Sequence, residues 1–303
     1  MTQSLPHDGL WPRAGHWIHA AREHVEACDL ALLGVPAWRT SLSRTGAHAT
    51  PAAIREALFR YSTWSGTHNV DVRSLVAADF GDVHEPDGSE GEARVVVAAA
   101  AAARASRLLI ALGGDNSITY PVAAGVMGPD LPIGGLVTLD AHYDLRDGES
   151  NGSPVRRLVA AGLSGRHIVQ VGISDFANSA EYAARARDYG ITVVQRDVLR
   201  RRPVEDVMTE AIEIASAGGG DVHVDLDVDV CDRAFVPACP AAAPGGISAD
   251  ELRRVAHISG RSSSVASMDI TEIDATADAP DGRTVRLAAL LILEAATGLA
   301  LRS

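Results

Sequence analysis

The chain alternates short apolar stretches with helix-like stretches from about residue 29 to its end, and this alternation constrains the fold most strongly. Apolar runs such as "DLALLGVP" (residues 29–36) and "SRLLIALGGD" (residues 106–115) end in glycine or proline and predict buried strands. The segment "TPAAIREALFRYS" predicts a helix with Thr50 as its N-cap and Pro51 at its first position. Strands that are apolar throughout, separated by helices, are typical of a parallel sheet covered on both faces. We therefore predict an α/β fold of three layers, α/β/α, around a mostly parallel central sheet.

The same patterns recur along the remaining sequence. Further strands are predicted at residues 74–83, 133–141, 167–174, 191–195, 221–230 and 264–274. Further helices are predicted at residues 90–106, 117–127, 179–190, 203–218, 248–260 and 283–301. Because no linker or fixed-period repeat divides the chain, we expect an N-terminal arm at residues 1–28 and a single domain at residues 29–303.

Charge and cysteine content exclude several classes of function. The formal net charge of -12 argues against nucleic acid or an anionic membrane surface as a partner. The first residues lack the pattern of a signal peptide, and no apolar run is long enough to span a bilayer, so we expect a cytoplasmic protein. The three cysteines, Cys28, Cys231 and Cys239, are widely spaced, which argues against a disulfide framework or a thiolate zinc site.

Acidic residues gather where the predicted strands end. In "DAHYD", Asp140, His142 and Asp144 occupy alternate positions, which face the same way in an extended segment. Asp227 and Asp229 repeat the pattern in "VHVDLDVDVCD". Since ligands of such sheets bind at the carboxyl ends of the strands, we expect these side chains to converge there.

A cluster of four carboxylates and one imidazole needs a compensating charge. Unpaired carboxylates in a water-poor cleft repel each other and lose hydration, whereas two divalent cations would neutralise four of them. A ligand set of oxygens with one nitrogen suits Mn²⁺ or Mg²⁺ better than structural zinc. For the other polar residues of the second segment we expect ordinary roles: His223 as a core or surface histidine, and Asp225 and Asp232 as turn caps or partners of an arginine.

These motifs resemble the ureohydrolase family of arginases, agmatinases and formimidoylglutamases. "GGDNS", "LDAHYDLR", "DLDVDVCD", a following "PGG" and "MDITEID" occur in that family's order and approximate spacing, and "LLGVP" and "DFGDV" are similar to its N-terminal elements. The resemblance covers nearly the whole chain from residue 29. It implies an arginase-like fold with a binuclear manganese centre and a trimeric or hexameric homo-oligomer.

The resemblance also implies roles for individual residues. Asp140 and Asp227 match the carboxylates that bridge two Mn²⁺ ions; His142 and Asp229 would complete one site, and Asp144 belongs to the other. Glu272 of "DITEID" matches the acidic residue that anchors the amidine or guanidinium of the substrate. In the hydrolysis of such a substrate, Asp144 or its matching neighbour would pass the proton to the leaving amine.

Two positions depart from the family pattern. The family has a histidine ligand where this chain has Asn116, and a neutral amide oxygen is a weaker ligand of manganese, so we expect a looser first site. Asn151 stands where arginases and many agmatinases have a histidine. The run "DLRDGESNGSPVRRL" is instead similar to formimidoylglutamases.

That run also contains the predicted contacts with the substrate. Arg146, Asn151 and Ser153 could bind a glutamate-like carboxylate, whereas Arg156 and Arg157 are expected to begin a helix and pair with surface acids. We therefore favour hydrolysis of N-formimidoyl-L-glutamate to L-glutamate and formamide. The alternatives are an agmatinase or another guanidino-compound ureohydrolase, or a non-catalytic member of the family that acts through assembly.

Overall fold

The computed structural model describes residues 8–20 and 27–302, and within these ranges nine strands form one parallel sheet. Those strands are β1 (His19–Ala20), β2 (Leu30–Val35), β5 (Ala77–Asp82), β6 (Leu108–Gly113), β7 (Gly135–Leu139), β8 (Ile168–Ile173), β9 (Thr192–Gln195), β10 (Val222–Asp227) and β11 (Val265–Thr271). The short strands β3 (Trp64–Ser65) and β4 (Val70–Asp71) form a separate antiparallel pair.

The spatial order of the sheet is β1-β5-β2-β6-β11-β10-β7-β8-β9, and every pairing in it is parallel. The central strands β6, β7 and β10 are buried along their whole length, because helices cover both faces. Their carboxyl ends therefore lie side by side at one edge of the sheet, with that of β11.

Helices lie on both faces of the sheet. They are α1 (Thr50–Leu58), α2 (Gly88–Arg104), α3 (Thr119–Met127), α4 (Pro154–Ala161), α5 (Ala180–Tyr189), α6 (Arg196–Leu199), α7 (Val204–Ala215), α8 (Ala249–Arg261) and α9 (Arg283–Ala300). One hydrophobic core unites α1, α7, α8 and α9 with the sheet, and two others unite it with α2 and α3 and with α4 and α5. The predicted α/β/α architecture is confirmed.

Local differences from the prediction have physical causes. Thr50 is the first residue of α1 and not its cap, because a 3₁₀ helix (Ala47–Ala49) leads directly into α1. Its hydroxyl donates a hydrogen bond to the carbonyl oxygen of Ile273 at 2.5 Å. Strand β10 ends at Asp227, since residues Val228–Val230 turn into a 3₁₀ helix. Helices α4 and α6 were not predicted as elements, although a helix beginning near Arg156 was expected.

Within the arm predicted at residues 1–28, the structure places a 3₁₀ helix (Ala14–His16) and strand β1, which pairs with β5 at the sheet edge. The division into an arm and one catalytic domain stays a prediction. Among the described residues, no helix is both long enough and apolar enough to cross a membrane.

Candidate metal centre

Three segments bring the predicted acids together at the carboxyl edge of the sheet. The first follows β7, the second spans the end of β10 and the 3₁₀ turn after it, and the third follows β11. The prediction that strand alternation aligns the acids is wrong in its geometry. Asp140 and Asp144 lie beyond the end of β7, and Asp144 has a positive φ of 53°. A turn of the backbone, and not an extended strand, directs these side chains.

Asp140, His142 and Asp229 form a group that could hold a metal ion, because one ligand atom from each lies within 4.8 Å of the others. The Nδ1 atom of His142 lies 2.7 Å from Asp229 Oδ2 and 3.4 Å from Asp140 Oδ1. Backbone N–H groups fix both carboxylates: that of His142 donates to Asp140 Oδ1 at 2.6 Å, and that of Ala141 donates to Asp229 Oδ1 at 2.9 Å. The second oxygen of Asp140, Oδ2, is buried and has no hydrogen-bond partner in the described part of the chain.

The electrostatics of this group favour a bound cation. Burial opposes protonation of His142, but the carboxylates of Asp229 and Asp140 outweigh it and raise the pKa of the imidazole to about 12. Burial, together with the neighbouring charge of Asp229, raises the pKa of Asp140 to about 6. The imidazolium thus serves as a positive partner of the two carboxylates. A divalent cation would replace its proton, since only the neutral imidazole is a ligand.

Asp227 and Asp144 lie in the same buried region. Asp227 is 2% exposed, and its Oδ1 accepts a hydrogen bond of 2.8 Å from the N–H of Asp229, which closes the 3₁₀ turn. Burial and the charges of Asp229 and Asp140 raise the pKa of Asp227. Burial, followed by the charge of Asp140, also raises the pKa of Asp144 well above its ordinary value. These acids therefore lack sufficient compensation from protein cations, and a donor set of carboxylates and one imidazole fits a manganese centre.

Asn116 begins the turn after β6 and is 1% exposed. Its Nδ2 donates to Asp144 Oδ2 at 2.5 Å, while its Oδ1 accepts the hydroxyls of Thr119 at 2.7 Å and Thr271 at 3.2 Å. The amide oxygen therefore points toward two hydroxyl groups, and the amino group points toward the acid cluster. Metal binding through Oδ1 requires a 180° rotation of the amide, which the two threonine hydroxyls tolerate because they also accept hydrogen bonds.

Glu272 follows β11 in a left-handed conformation with φ of 62° and is 4% exposed. Its Oε1 accepts the N–H of Asn116 and the Nδ2 of Asn151, each at 2.8 Å. The Oδ1 of Asn151 in turn accepts the N–H of Leu42 at 3.0 Å. Burial and the charge of Asp115 raise the pKa of Glu272 to about 7. Asn151 therefore connects the acid at one end of the site to the loop that contains Leu42.

A cavity of about 180 Å³ opens over these groups. Its lining comprises Leu42, Ser43, His142, Asp144, Leu145, Arg146, Asn151, Gly152, Ala177, Asn178, Tyr182, Asp227, Asp229, Ala241 and Glu272. The exposed guanidinium of Arg146 forms no ion pair or hydrogen bond with the residues that the structure describes. A Cβ atom at Gly152 would lie 2.7 Å from Arg146 Cδ, so the glycine provides the space in which this side chain lies. The cavity thus has acids at one end and an unpaired cation beside them.

Several other predicted residues have structural roles. Ser153 is buried away from the cavity, because its Oγ donates to the carbonyl oxygen of Ser150 at 2.8 Å and accepts that residue's N–H at 2.9 Å. Ser153 does not line the cavity, and its contact with the substrate stays a prediction. Arg157 pairs with Glu92 at 2.6 Å, as expected. Arg156 instead donates to backbone carbonyls of the loop, among them that of Arg146 at 2.6 Å.

A buried polar column lies beneath the centre. His223 contacts Ser267 Oγ through Nδ1 at 2.7 Å and Asp269 Oδ2 through Nε2 at 3.1 Å. Asp225 lies opposite Asp269 in the register of β10 and β11, and the Thr271 hydroxyl lies 3.4 Å from Asp225 Oδ1. His223 is a core histidine, one of its two predicted roles. The expectation that Asp225 caps a turn or pairs with an arginine is wrong, because this residue lies inside the sheet. Asp232 does cap a turn, accepting the N–H of residue 234 at 2.8 Å.

Comparison with known proteins places this arrangement in a family. The chain matches the Arginase family over residues 28–298. It belongs to the arginase family. As a member, it is a hydrolase that acts on the C–N bonds of amidines. The chain is 34% identical to a formimidoylglutamase of Halalkalibacterium halodurans over 90% of its own length and 88% of the relative's. It is 31% identical to the Bacillus subtilis formimidoylglutamase over 89% and 87% of the two chains.

Solved structures agree with this family assignment. The crystal structure of the Bacillus subtilis formimidoylglutamase superposes with a TM-score of 0.92 and 29% identity, covering 100% of this chain and 96% of that chain. The crystal structure of a Trypanosoma cruzi formiminoglutamase with Mn²⁺ superposes with a TM-score of 0.88 and 24% identity, covering 97% of this chain and 100% of that chain. At this identity the similarity shows the fold alone. The predicted arginase-like fold is confirmed.

In this arginase-family chain, the sequence did not reveal the part of the cavity that comes from the loop after β8 and from α5. Asn178 donates to the carbonyl oxygen of Ala141 at 2.9 Å and accepts the N–H of Tyr143 at 3.0 Å, so it holds the loop after β7 in place. Tyr182 lines the cavity from α5. Their position after a predicted strand could have indicated that they line the cavity. Loops at the carboxyl ends of parallel strands meet at one edge of the sheet.

Proposed function

We propose that this protein is a manganese-dependent formimidoylglutamase, which hydrolyses N-formimidoyl-L-glutamate to L-glutamate and formamide. The observation that carries the proposal is the arrangement of the cavity, in which an unpaired arginine lies beside a buried acid cluster. The acids suit the metal and the cationic amidine, and the arginine suits an anionic tail. The formimidoylglutamases among the relatives support the same substrate.

The metal centre would be held by the residues at the sheet edge. We propose that Asp140, His142, Asp227 and Asp229 hold one Mn²⁺ ion. The other ion, at the first site, would share the two bridging acids Asp140 and Asp227 with Asp144 and Asn116, and this site would be the weaker one. When bound, the cations would neutralise the carboxylates and supply an acidified water molecule as the nucleophile.

The surrounding side chains would bind and orient the substrate. We propose that Glu272 anchors the amidine, with its carboxylate oriented by the hydrogen bonds from Asn116 and Asn151. Asn151 would position Glu272 by its hydrogen bond and would not contact the reacting atoms itself; its other hydrogen bond, from the N–H of Leu42, holds it in place. Asp144, besides holding the metal, would accept the proton that the attacking water loses and pass it to the leaving amine.

Arg146 would select the substrate by charge. Formimidoylglutamate has carboxylates in its tail, whereas agmatine has a second cation there, so a free guanidinium beside the acids favours the first substrate and repels the second. A carboxylate in the tail of the substrate would pair with the guanidinium of Arg146, which has no ion-pair partner among the described residues.

A substrate panel tests the proposal. The manganese-loaded protein is assayed with formimidoylglutamate, agmatine, arginine and guanidino acids, and formamide or urea release is measured. We expect turnover with formimidoylglutamate and little with agmatine. Urea release from a guanidino compound, without formamide release, would favour the alternative ureohydrolase activity. No turnover with any of them, combined with less than one tightly bound manganese per chain, would favour the non-catalytic alternative.

The role of Arg146 has its own test. We expect Arg146→Met to raise the KM for formimidoylglutamate at least tenfold, the loss of about one charge-assisted hydrogen bond, with a smaller change in kcat. Steady-state kinetics at constant manganese content measures both constants. Arg104→Met, at the exposed C-terminal end of α2, is the matched control and should leave both unchanged. An unchanged KM in the Arg146 variant would contradict the assignment.

Assembly and location stay predictions from the sequence. We propose a homo-oligomer, trimeric or hexameric, in the cytoplasm, with a small amidine as the substrate and no nucleic-acid or membrane partner. Light scattering after size-exclusion chromatography measures the number of subunits, and a monomeric mass would contradict the proposed assembly.

A further inference from the structure

Arg196 is a buried cation that does not line the cavity. It begins α6, directly after β9, and is 8% exposed. Its Nε donates a hydrogen bond of 3.2 Å to the carbonyl oxygen of Gly172 at the end of β8. A guanidinium at this depth has lost most of its hydration, which is costly unless nearby negative charge compensates.

The contact with Gly172 places Arg196 behind the acid cluster. Gly172 has a φ of 100°, and a Cβ atom there would lie 3.3 Å from the carbonyl oxygen of Asp140 and 2.5 Å from Val230 Cγ2. The backbone of Gly172 therefore packs directly against the two segments that carry Asp140 and Asp229. Burial lowers the pKa of Arg196, and the negative charges of Asp229 and Asp140 oppose that lowering.

The hydrogen bonds of Arg196 do not explain its burial. Its Nη2 is buried and has no hydrogen-bond partner in the ranges that the structure describes. An apolar side chain of similar volume would fill this space without that cost. The remaining explanation is the positive charge itself, which an arginine keeps even when it is buried.

We propose that Arg196 is a positioning residue, a fixed counter-ion that holds Asp140 and Asp229 together before manganese binds and that limits how tightly the metal is held. The reason is that a buried cation and a metal ion compensate the same carboxylates. While the metal is absent, Arg196 lowers the repulsion among the acids. When the metal is present, the two positive charges repel each other. This inference rests on the manganese centre of the proposed function.

The charge hypothesis predicts unequal effects on the metal-free and the manganese-loaded protein. In Arg196→Met, we expect the thermal midpoint of the metal-free protein to fall by more than that of the manganese-loaded protein. We also expect manganese to bind about tenfold more tightly, because one repelling charge is gone. Isothermal titration calorimetry gives the dissociation constant, and thermal unfolding with and without a chelator gives the midpoints. Arg196→Lys keeps the charge and should bind manganese as the unaltered protein does.

A purely structural role gives different results. If Arg196→Met lowers both midpoints equally and leaves manganese affinity unchanged or weaker, the proposal is wrong. If the methionine variant does not fold, Arg196→Gln provides the same comparison with a polar, uncharged side chain. Arg201→Met, at an exposed position just after α6, is the control for loss of a guanidinium elsewhere. These measurements need no substrate, so failure of the substrate assignment and failure of this inference are distinguishable.

Discussion

The side-chain amide of Asn116 has its hydrogen bonds within the protein: it donates to Asp144 and accepts from Thr119 and Thr271. A metal ion at this position must displace the hydrogen bond to Asp144, and the ligand it gains is a neutral oxygen. A histidine would offer an imidazole nitrogen, which manganese binds more strongly than an amide. The occupancy of the proposed first Mn²⁺ site should therefore depend strongly on this side chain.

Asn116→His tests this dependence. We expect the weaker manganese ion to bind at least tenfold more tightly, a typical effect of improving the environment of a bound metal. Metal analysis after dialysis and a manganese titration followed by electron paramagnetic resonance measure the change. Asn69→His, the same replacement in the loop between β3 and β4, should have no effect. Unchanged metal content and activity in Asn116→His would show that residue 116 does not face the metal.

Helices α8 and α9 pack so closely that glycines are required at their contact. A Cβ atom at Gly298 would lie 2.1 Å from the carbonyl oxygen of His257, and one at Gly260 would lie 2.1 Å from that of Ala295. Within a helix, alanine is ordinarily more favourable than glycine. Here steric contact with backbone atoms reverses that preference.

Gly298→Ala should therefore destabilise the protein by about 1–3 kcal/mol, the usual cost of overpacking. Chemical denaturation of the metal-loaded protein measures the free energy of unfolding. Gly9→Ala is the control, because an added Cβ there meets nothing within 4 Å. A stabilised Gly298 variant would show that the two helices can separate at little cost.

Helix α8 also carries a titratable contact. His257 stacks on His68 with ring centroids 4.2 Å apart, and burial, followed by the charge of His68, lowers the pKa of His257 below its ordinary value of 6.5. The folded state then binds fewer protons than the unfolded state, so stability is lost as the pH falls below about 6.5.

We expect the contribution of His257 to lower the free energy of unfolding between about pH 7 and pH 5, and His257→Gln to remove that contribution. Denaturation series at several pH values measure the slope. His84→Gln, at a side chain that is 85% exposed, should leave the slope unchanged. An equal slope in both variants would assign the pH dependence to other groups.

Over the whole molecule, the parallel sheet concentrates acids at one edge, and this concentration opposes folding until a cation is bound. Manganese should therefore raise the thermal midpoint, by an amount that corresponds to about 2.7 kcal/mol when free metal is at 100 times its dissociation constant. Thermal unfolding with manganese and with a chelator measures the difference. Asp229→Asn should abolish most of it. A midpoint that does not depend on manganese would contradict the proposed centre.

Much of the architecture follows from patterns within single segments. An apolar run such as that of β6 indicates a strand that is buried on both faces, and a 3.6-residue period indicates a helix with one buried face. The layers of the fold could therefore be predicted from the sequence. The acids after β7 and in β10 were also visible, because several carboxylates near an apolar strand end have few structural uses.

Details of orientation were not visible in the sequence. Strand periodicity predicted that Asp140 and Asp144 share one face of an extended segment, but a turn with positive φ at Asp144 directs them. Ser153 was expected in the cavity, yet a local turn buries it against Ser150. Local hydrogen bonds decide such cases, and residue types alone do not specify which of them forms.

Local periodicity thus suffices for the main strands and helices, their layers and the acids at the strand ends, since each of these depends on neighbours in the chain. Contacts between distant segments depend on how the sheet orders its strands. The burial of Arg196 behind the acid cluster, the link from Asn151 to Glu272 and the direction of the Asn116 amide are of this kind. They became apparent in the folded chain because packing, and not sequence spacing, brings these groups within a few ångströms of each other.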